Sequence, residues 1–347
     1  MQDDDAGSAI TVTVTRAGNS GSVTSSSVTI PMLVPGATLA EQLSWVRGFG
    51  QSGNEYIVEI SGNVTITGTS AALPAGRSNI TVRIRGREAI SEVRLSTNGI
   101  LFTIGSGVTL VLDENITLMG RGGVGSHDTT TANNNSLVRI NSGGTLIMNE
   151  GARVVGNATT NQSGAGVFVA SNGRFTMNGG EISGNRSGGS GSGSGIYAGH
   201  GGVHVGNGGM FTMNYGIISG NSSSNGGAGV SVGSGGMFTM TGGRISGNRV
   251  TGSSRGGGVF VAGTSTTGTW PTTIPAGIFR ISKGIIHGNE SAVAEELRNT
   301  SGDGLSASLH NGGTAQRGTF SDGTFTPLGD LNTTNITINV ANGELSW

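Results

Sequence analysis

A segment repeated three times between Gly164 and Asn248 constrains the fold more than any other feature of the chain. Each copy contains a Val-x-Val run, a Phe-Thr-Met run and an Ile-Ser-Gly-Asn run, separated by small and polar residues. Alternation of apolar and polar residues with a period of two predicts short β-strands, and the glycine, asparagine and serine residues between them predict tight turns. A repeat of this kind determines the architecture before any single element is assigned.

The spacing within the copies is constant, whereas the spacing between them varies. The second valine of each copy precedes the phenylalanine by six residues, but Phe175, Phe211 and Phe238 follow each other at intervals of 36 and 27 residues. Constant strands joined by variable loops are typical of a parallel β-helix, whose coils stack about 4.8 Å apart around one core. We therefore predict an all-β protein formed by a single right-handed parallel β-helix of about seven coils, with three short strands per coil. The predicted inward columns are Val167/Val203/Val230, Val169/Val205/Val232, Phe175/Phe211/Phe238, Met177/Met213/Met240 and Ile182/Ile218/Ile245.

Weaker copies extend the predicted β-helix to residues 55–290. Tyr56–Ile60, Val64–Ile66 and Ile80–Ile84 are expected to form its first coil. Residues 1–54 contain alternating segments and a Thr-x-x-Glu capping box at Thr38, followed by apolar residues at helical spacing. An amphipathic helix at this position is expected to cover the open end of the first coil. A partner-binding helix is the alternative.

Residues 291–347 are expected to form the second cap, with a short helix near 292–298 and a last strand at 335–340. The alternating segments 9–15 and 335–340 lie outside the repeat. If either pairs with a neighbouring molecule instead of its own chain, strand addition builds a head-to-tail filament. Two ordinary caps are the competing interpretation.

Composition excludes several classes of protein. Glycine accounts for 67 of 347 residues and charged residues for 11%, yet apolar residues recur in register, so the chain is not predicted to be disordered. A net charge of -1 disfavours nucleic-acid binding, and the absence of cysteine excludes disulfides and thiolate metal sites. No run of 18 apolar residues predicts a transmembrane helix. The segment Met1–Asp5 has neither a basic nor an apolar stretch, and we interpret it as a mature N-terminus that follows a removed signal or a cloning methionine.

Two columns of polar residues follow the predicted strands at fixed positions. We expect both to form ladders of side-chain hydrogen bonds between coils, a structural role. Arg153 and Glu181 are expected to form an exposed pair on neighbouring coils. The ladders comprise Asp113, Asn149, Asn178, Asn214 and Thr241 after the middle strand, and Asn157, Asn185, Asn221, Asn248 and Asn289 after the third.

A group of aromatic and histidine residues supplies the candidate ligand-binding site. Outward-facing aromatic rings stack on sugars or anchor protein partners. The alternative is that the glycine-rich loop 186–201 covers them. A metal site built on two of the histidines lacks a third ligand, so we predict no metal and no cofactor. The candidates are Phe168, His204 and Phe260 on the first strand, Tyr197 and His200 in the adjoining loop, and Trp270 in a later insertion.

Few acidic residues are available for catalysis. The regular copies contain one carboxylate, Glu181, and no Ser-His-Asp set or phosphate-binding loop is present. Glycosidases need two carboxylates in one groove, and calcium-dependent lyases need a cluster of acids. We therefore predict a protein that is not an enzyme. The rival is a carbohydrate-active enzyme, a polysaccharide lyase or glycosidase, that uses Asp113, Glu114 or Glu150.

The repeats resemble those of chlamydial-type polymorphic outer-membrane adhesins, and more closely those of predicted spirochaete and other bacterial surface proteins. The resemblance covers roughly residues 100–290 and rests on Phe175–Asn178, Phe211–Asn214 and the Gly-Val pairs that begin the first strands, although Phe238 is followed by Thr241. It implies a secreted, extracellular bacterial surface protein with an adhesin-like or structural role. Its loops, including 120–135 and 186–201, would bind a surface glycan or a host or bacterial surface protein.

Overall fold

The computed structural model describes residues 9–10, 13–15, 22–24, 28–68, 73, 78–122, 133–159, 164–188, 199–224, 227–252, 256–267, 272–288, 294–300, 307–309, 314–331, 338–341 and 344–345. Within them the protein is all-β, with long parallel sheets and one α-helix, Leu39–Phe49. Long parallel sheets built from successive short strands are consistent with the parallel β-helix-like fold that the repeat predicts.

Three large sheets receive strands from the chain in a fixed order. The first sheet contains Phe102–Ile104, Val138–Ile140, Val167–Val169, Val203–Val205, Val230–Val232, Val259–Val261 and Ala307–Leu309. The second contains Met32–Leu33, Glu55–Ile60, Ile80–Gly86, Val108–Leu112, Thr145–Met148, Arg174–Met177, Met210–Met213, Met237–Met240, Ile278–Ile281, Thr314–Ser321 and Thr324–Asp330. The third contains Val64–Ile66, Ser91–Leu95, Ile116–Met119, Arg153–Val155, Glu181–Ser183, Ile217–Ser219, Arg244–Ser246, Gly284–Ile286, Ile338–Ala341 and Glu344–Leu345. We call the strands that one passage of the chain adds to these sheets a rung.

A fourth, small sheet follows the third in four rungs. Its strands have two residues each and pair in parallel. Three strands per coil were predicted, and this additional pairing arises where the chain stays extended after the buried asparagine of each rung. The strands are Ala158–Thr159, Arg186–Ser187, Ser222–Ser223 and Arg249–Val250.

The predicted inward columns are confirmed. Val167 pairs in register with Val203, and Val203 with Val230, and the other apolar columns stack in the same way. Their side chains are buried in one continuous core. Identical residues pack on each other between successive rungs. A shift of one strand by one residue would remove its apolar side chains from the core, so this packing fixes the register of the strands.

The assignment of the first coil was wrong in one respect. Ile80–Gly86 pairs in parallel with Glu55–Ile60 in the second sheet, so these strands belong to two successive rungs instead of one. Val64–Ile66 pairs with the strand Ser91–Leu95 in the third sheet. The first described strand of the first sheet is Phe102–Ile104, so the rungs before it lack one of the three strands that the repeat contains. The sequence spacing in this region was therefore misread.

The predicted helix is confirmed and lies against the N-terminal strands. Thr38 is its N-cap, and the side chains of Thr38 and Glu41 form a reciprocal capping box with the backbone. Leu43 and Val46 are buried in the core. Gln42 donates to the carbonyl of Glu59 and accepts from its N–H, so the helix provides backbone hydrogen bonds that the first full strand would otherwise lack. The helix thus covers the beginning of the core.

The terminal segments pair within the chain. Ala9–Ile10 pairs with Val28–Thr29, and Thr13–Thr15 pairs with Ser22–Thr24, both antiparallel. At the other end Ile338–Ala341 pairs antiparallel with Gly284–Ile286. The short helix expected near 292–298 is a single 3-10 turn, Glu295–Leu297. A further antiparallel hairpin joins Ser265–Thr267 to Thr272–Ile274.

Candidate functional site

The corner between the second and third sheets carries the first predicted ladder. The Thr241 hydroxyl donates to Asn214 Oδ1 at 2.8 Å, and the amide groups of Asn214 and Asn178 each donate to the preceding rung, at 2.9 and 3.1 Å. Asn149 in turn donates to Asp113 Oδ1 at 3.3 Å, and Arg83 binds the other oxygen of that carboxylate. The ladder is therefore confirmed, and all its amides point toward the N-terminal end.

Each ladder residue is followed by one residue of variable type and then by a residue with positive φ. Glycine provides that conformation in most rungs, with φ of +81° at Gly151, +78° at Gly180 and +95° at Gly216. A left-handed residue turns the chain sharply into the third sheet, and glycine adopts it without steric cost. The variable residue consequently lies at the outermost point of the corner in every rung. In chain order these residues are Glu114, Glu150, Gly179, Tyr215 and Gly242, and Lys283 takes the equivalent position after Ser282 on the next rung.

Gly179 leaves a gap in this row of corner residues. A Cβ atom at Gly179 would lie 2.8 Å from both the Cα and the N of Glu150, so no other residue fits without a shift of the backbone. On the next rung Tyr215 is 61% exposed. On its far side is Gly242, where a Cβ would lie 3.6 Å from Cδ1 of the tyrosine ring. Two glycines thus flank one exposed aromatic ring.

A groove of about 760 Å³ runs along this corner. Its base is formed by backbone of Gly151, Gly179, Gly180 and Gly216, and Tyr215 and the exposed Ile90 lie toward its two ends. This volume is within the range of small-molecule sites in proteins, about 300–1,000 Å³. Its other lining residues are Asn115, Glu150, Ala152, Arg153, Asn178, Glu181 and Ile217. We call this feature the corner groove.

One ion pair forms part of the wall of the corner groove. Arg153 Nη2 lies 3.0 Å from Glu181 Oε2, and Arg153 Nε donates to the same oxygen at 3.1 Å. This confirms the predicted pair on neighbouring rungs. With Arg153 neutralised by Glu181, the exposed carboxylate of Glu150 leaves the groove with one net negative charge.

The second predicted ladder is buried and structural. The side-chain amides of Asn185 and Asn221 each donate to the asparagine of the next rung, at 3.1 and 2.9 Å, and also to a backbone carbonyl of the preceding rung. Asn248 donates to Asn299 Oδ1 at 2.9 Å. The predicted last member, Asn289, lies outside the described residues, and the place next to Asn248 is taken by Asn299.

The predicted aromatic candidates are only partly brought together. Phe168, His204 and Phe260 share one column of the first sheet, and the rings of Phe168 and His204 lie 5.1 Å apart. The ring of His200 is 3.8 Å from that of His204. Phe260 and His200 are buried, and Phe168 and His204 are partly exposed. Tyr197 and Trp270 lie outside the described residues.

Part of the His204 side chain is exposed, but its Nδ1 is buried. Burial lowers the pKa of His204 to about 4, and its Nδ1 has no hydrogen-bond partner among the described residues. The guanidinium of Arg139 lies 4.8 Å from the ring centre of Phe168, whose plane is inclined by 44° to that of His204. A neutral imidazole between aromatic rings therefore packs as an apolar group here.

The acids proposed for the rival activity occupy different environments. Asp113 is engaged by Arg83 and Asn149, whereas Glu114 and Glu150 are exposed. Of the three, only Glu150 lines the corner groove. In the described part of the chain, no three or more histidine, cysteine or acidic side chains are grouped as metal ligands would be. None of the helices described there is long and apolar enough to cross a membrane.

Comparison with known proteins does not assign this site. The chain matches no protein-family model, no curated protein and no solved structure.

Tyr215 is the residue of the corner groove that the sequence analysis did not select. The signal is visible in the alignment of the copies: after the ladder residues Asn178, Asn214 and Thr241 the next residues are glycine, tyrosine and glycine. An aromatic residue where neighbouring copies have glycine indicates a local surface feature, because the core columns do not change there.

Proposed function

We propose that this protein is a non-catalytic extracellular bacterial surface protein that binds carbohydrate in the corner groove. In this proposal the sheets close into a right-handed β-helix of about seven coils, as parallel crossovers are nearly always right-handed. The variable loops 120–135 and 186–201, largely outside the described residues, extend the recognition surface along another edge. Secretion and an adhesin-like or structural role follow from the resemblance of the repeats to those of bacterial surface proteins.

The observation that carries the proposal is the exposed ring of Tyr215 above the glycine gap at Gly179. Sugar rings have apolar C–H faces and a rim of hydroxyl groups, so an aromatic surface beside amides and carboxylates is suited to bind them. The groove offers both, with Asn178 one rung and Glu150 two rungs from the tyrosine. All these groups lie on a stacked backbone, which holds them at fixed spacing without a ligand.

A glycan array tests this proposal. We expect the purified protein to bind a subset of glycans, and we expect Tyr215→Ala to lose that binding while Tyr215→Phe retains it. Phe49→Ala is the matched control, because Phe49 is an aromatic residue of similar exposure, 67%, on the helix outside the groove. Equal binding by wild type and Tyr215→Ala would contradict the proposal.

The enzyme alternative has its own outcome in the same proteins. Glu150 and Glu181 both line the groove, and two carboxylates on one groove are the minimum for glycoside hydrolysis. Turnover of a polysaccharide by the wild type, lost in Glu150→Gln, would replace the binding proposal with this one. If the protein binds polysaccharides of this panel and hydrolyses none of them, the result supports the non-catalytic function.

End-to-end self-assembly is a separate part of the proposal. Thr324–Asp330 and Met32–Leu33 are the outermost strands of the second sheet, and Leu33 is 52% exposed. Unpaired edge strands offer main-chain groups to another molecule. We expect long assemblies in negative-stain images, lost in Leu33→Pro, which removes a main-chain donor from an exposed edge strand. A full-length protein that stays monomeric at high concentration would refute this part.

A further inference from the structure

We propose that the ligand of the corner groove is an uncharged polysaccharide chain that lies parallel to the stacking direction of the strands. This inference rests on the proposed carbohydrate-binding function and adds the orientation, length and charge of the ligand. Three features of the groove carry it.

The first feature is the direction of the groove. Asn115, Glu150, Gly179 and Tyr215 occupy equivalent or adjoining corner positions on four successive rungs. Three steps of about 4.8 Å make this part of the groove about 14 Å long, which exceeds a single sugar ring. The ring of Tyr215 lies toward one end and the side chain of Ile90 toward the other. A linear chain of several sugars fits such a groove, and a monosaccharide leaves most of it unfilled.

The second feature is the amide ladder that runs beside the groove. Asn149, Asn178 and Asn214 each use one amide N–H for the ladder, and the primary amide has two. Of the three, Asn178 lines the groove, so its second N–H can donate to a sugar hydroxyl there. Asn115 adds a second amide to the lining, two rungs from Asn178, so polar partners for a chain of sugars are spaced along the groove.

The third feature is the charge of the groove. Arg153 is bound by Glu181, so no cation in the lining is left to pair with a ligand carboxylate, and Glu150 adds a negative charge. Lys283 lies two rungs beyond Tyr215 and does not line the groove. A polyuronate would meet repulsion at Glu150, whereas a neutral chain would not. The ligand is therefore placed among neutral hexose polymers.

Calorimetric titration of the full chain tests the inference. The probes are neutral gluco-, manno- and galacto-oligosaccharides from the monosaccharide upward, with galacturonate oligosaccharides of matched length. We expect affinity for at least one neutral series to rise with chain length until the groove is filled. Tyr215→Ala is expected to lower that affinity about tenfold, as the loss of one aromatic contact implies.

A charge reversal provides the control for selectivity. Glu150→Lys is expected to admit galacturonate oligosaccharides, while Glu296→Lys, an exposed acid outside the groove, should leave selectivity unchanged. Circular dichroism of each variant establishes that it is folded. If wild type binds galacturonates as well as neutral chains, or binds a monosaccharide as tightly as a longer chain, this inference is wrong and the carbohydrate-binding proposal stands. If no sugar binds, both fail.

Discussion

The rings of Phe211 and Phe238 lie parallel in the core, with centroids 4.8 Å apart and planes inclined by 8°. Phe175 and Phe279 extend the stack on either side, with centroid separations of 4.6 and 4.9 Å. The separation equals the distance between strands of a parallel sheet, so the backbone and not the ring quadrupole sets this geometry. Phe211 and Phe238 are each packed between two other phenylalanine rings, which makes the stack sensitive to the loss of either.

Phe211→Ala should destabilise the protein strongly. It removes a buried ring from the middle of the stack, and neighbouring rings held by their strands cannot close the cavity, so we expect a loss of about 3–5 kcal/mol. Urea denaturation measures the change, and Phe211→Leu should recover part of it. Phe49→Ala, at an exposed position, is the control. A loss under about 1 kcal/mol for Phe211→Ala would show that the core relaxes around the cavity.

The two ladders should differ in their contribution to stability. Asn221 donates to Ile182 O at 3.0 Å and to Asn248 Oδ1 at 2.9 Å, and it accepts from the backbone N–H of Asn185 at 3.0 Å. Asn221→Ala leaves these groups buried without partners, so we expect a loss of about 3 kcal/mol or more. In the exposed ladder, water replaces the amide of Asn178, and Asn178→Ala should cost under about 1 kcal/mol. Equal losses on denaturation would contradict this distinction.

How far the sequence predicts the structure depends on which residues repeat. Phe175, Phe211 and Phe238 recur in a constant local frame, and their positions in the core followed from that frame. Ile80 to Ile84 are not preceded by a Val-x-Val strand, so nothing in the sequence distinguished the last strand of one rung from the second-sheet strand of the next. Tyr215 forms part of a groove only because glycines occupy the corner positions on the two neighbouring rungs. Which residues are neighbours there depends on the register of the strands.

Stability should fall on acidification partly because of His204. Its pKa of about 4 in the folded protein lies below the value of 6.5 for an exposed histidine, so the unfolded chain binds more protons between these pH values. Its contribution is complete above pH 6.5 and is lost as the pH falls to 4, by about 1–3 kcal/mol. Denaturation curves of wild type and His204→Phe over this window isolate the effect, since the acids of both proteins titrate alike. A difference in stability between the two proteins that stays constant over this window would refute the role of His204. The other imidazole in contact with this position is that of His200, whose ring centre lies 3.8 Å from that of His204.

The pair formed by Arg153 and Glu181 should add little to stability. Both side chains are partly exposed, at 42% and 32%, and an exposed ion pair is typically worth under about 1 kcal/mol. A double-mutant cycle with Arg153→Ala and Glu181→Ala measures their coupling, which should shrink further at high salt. A coupling above about 2 kcal/mol would mean that the groove wall is more desolvated than its exposure indicates.

The corner row from Glu114 to Lys283 gives the surface of this protein an unusual freedom to change. Each rung contributes one outward residue there, while the adjacent ladder residue and the left-handed glycine carry the structural requirements of the turn. Except where a glycine is sterically required, as at Gly179, a substitution in this row alters what the surface displays without touching the core. Gain or loss of whole rungs would shift such a pattern along the axis by a fixed step. Binding specificity can therefore change through single substitutions in this row or through duplication of rungs. The residues that determine folding stay the same in both cases.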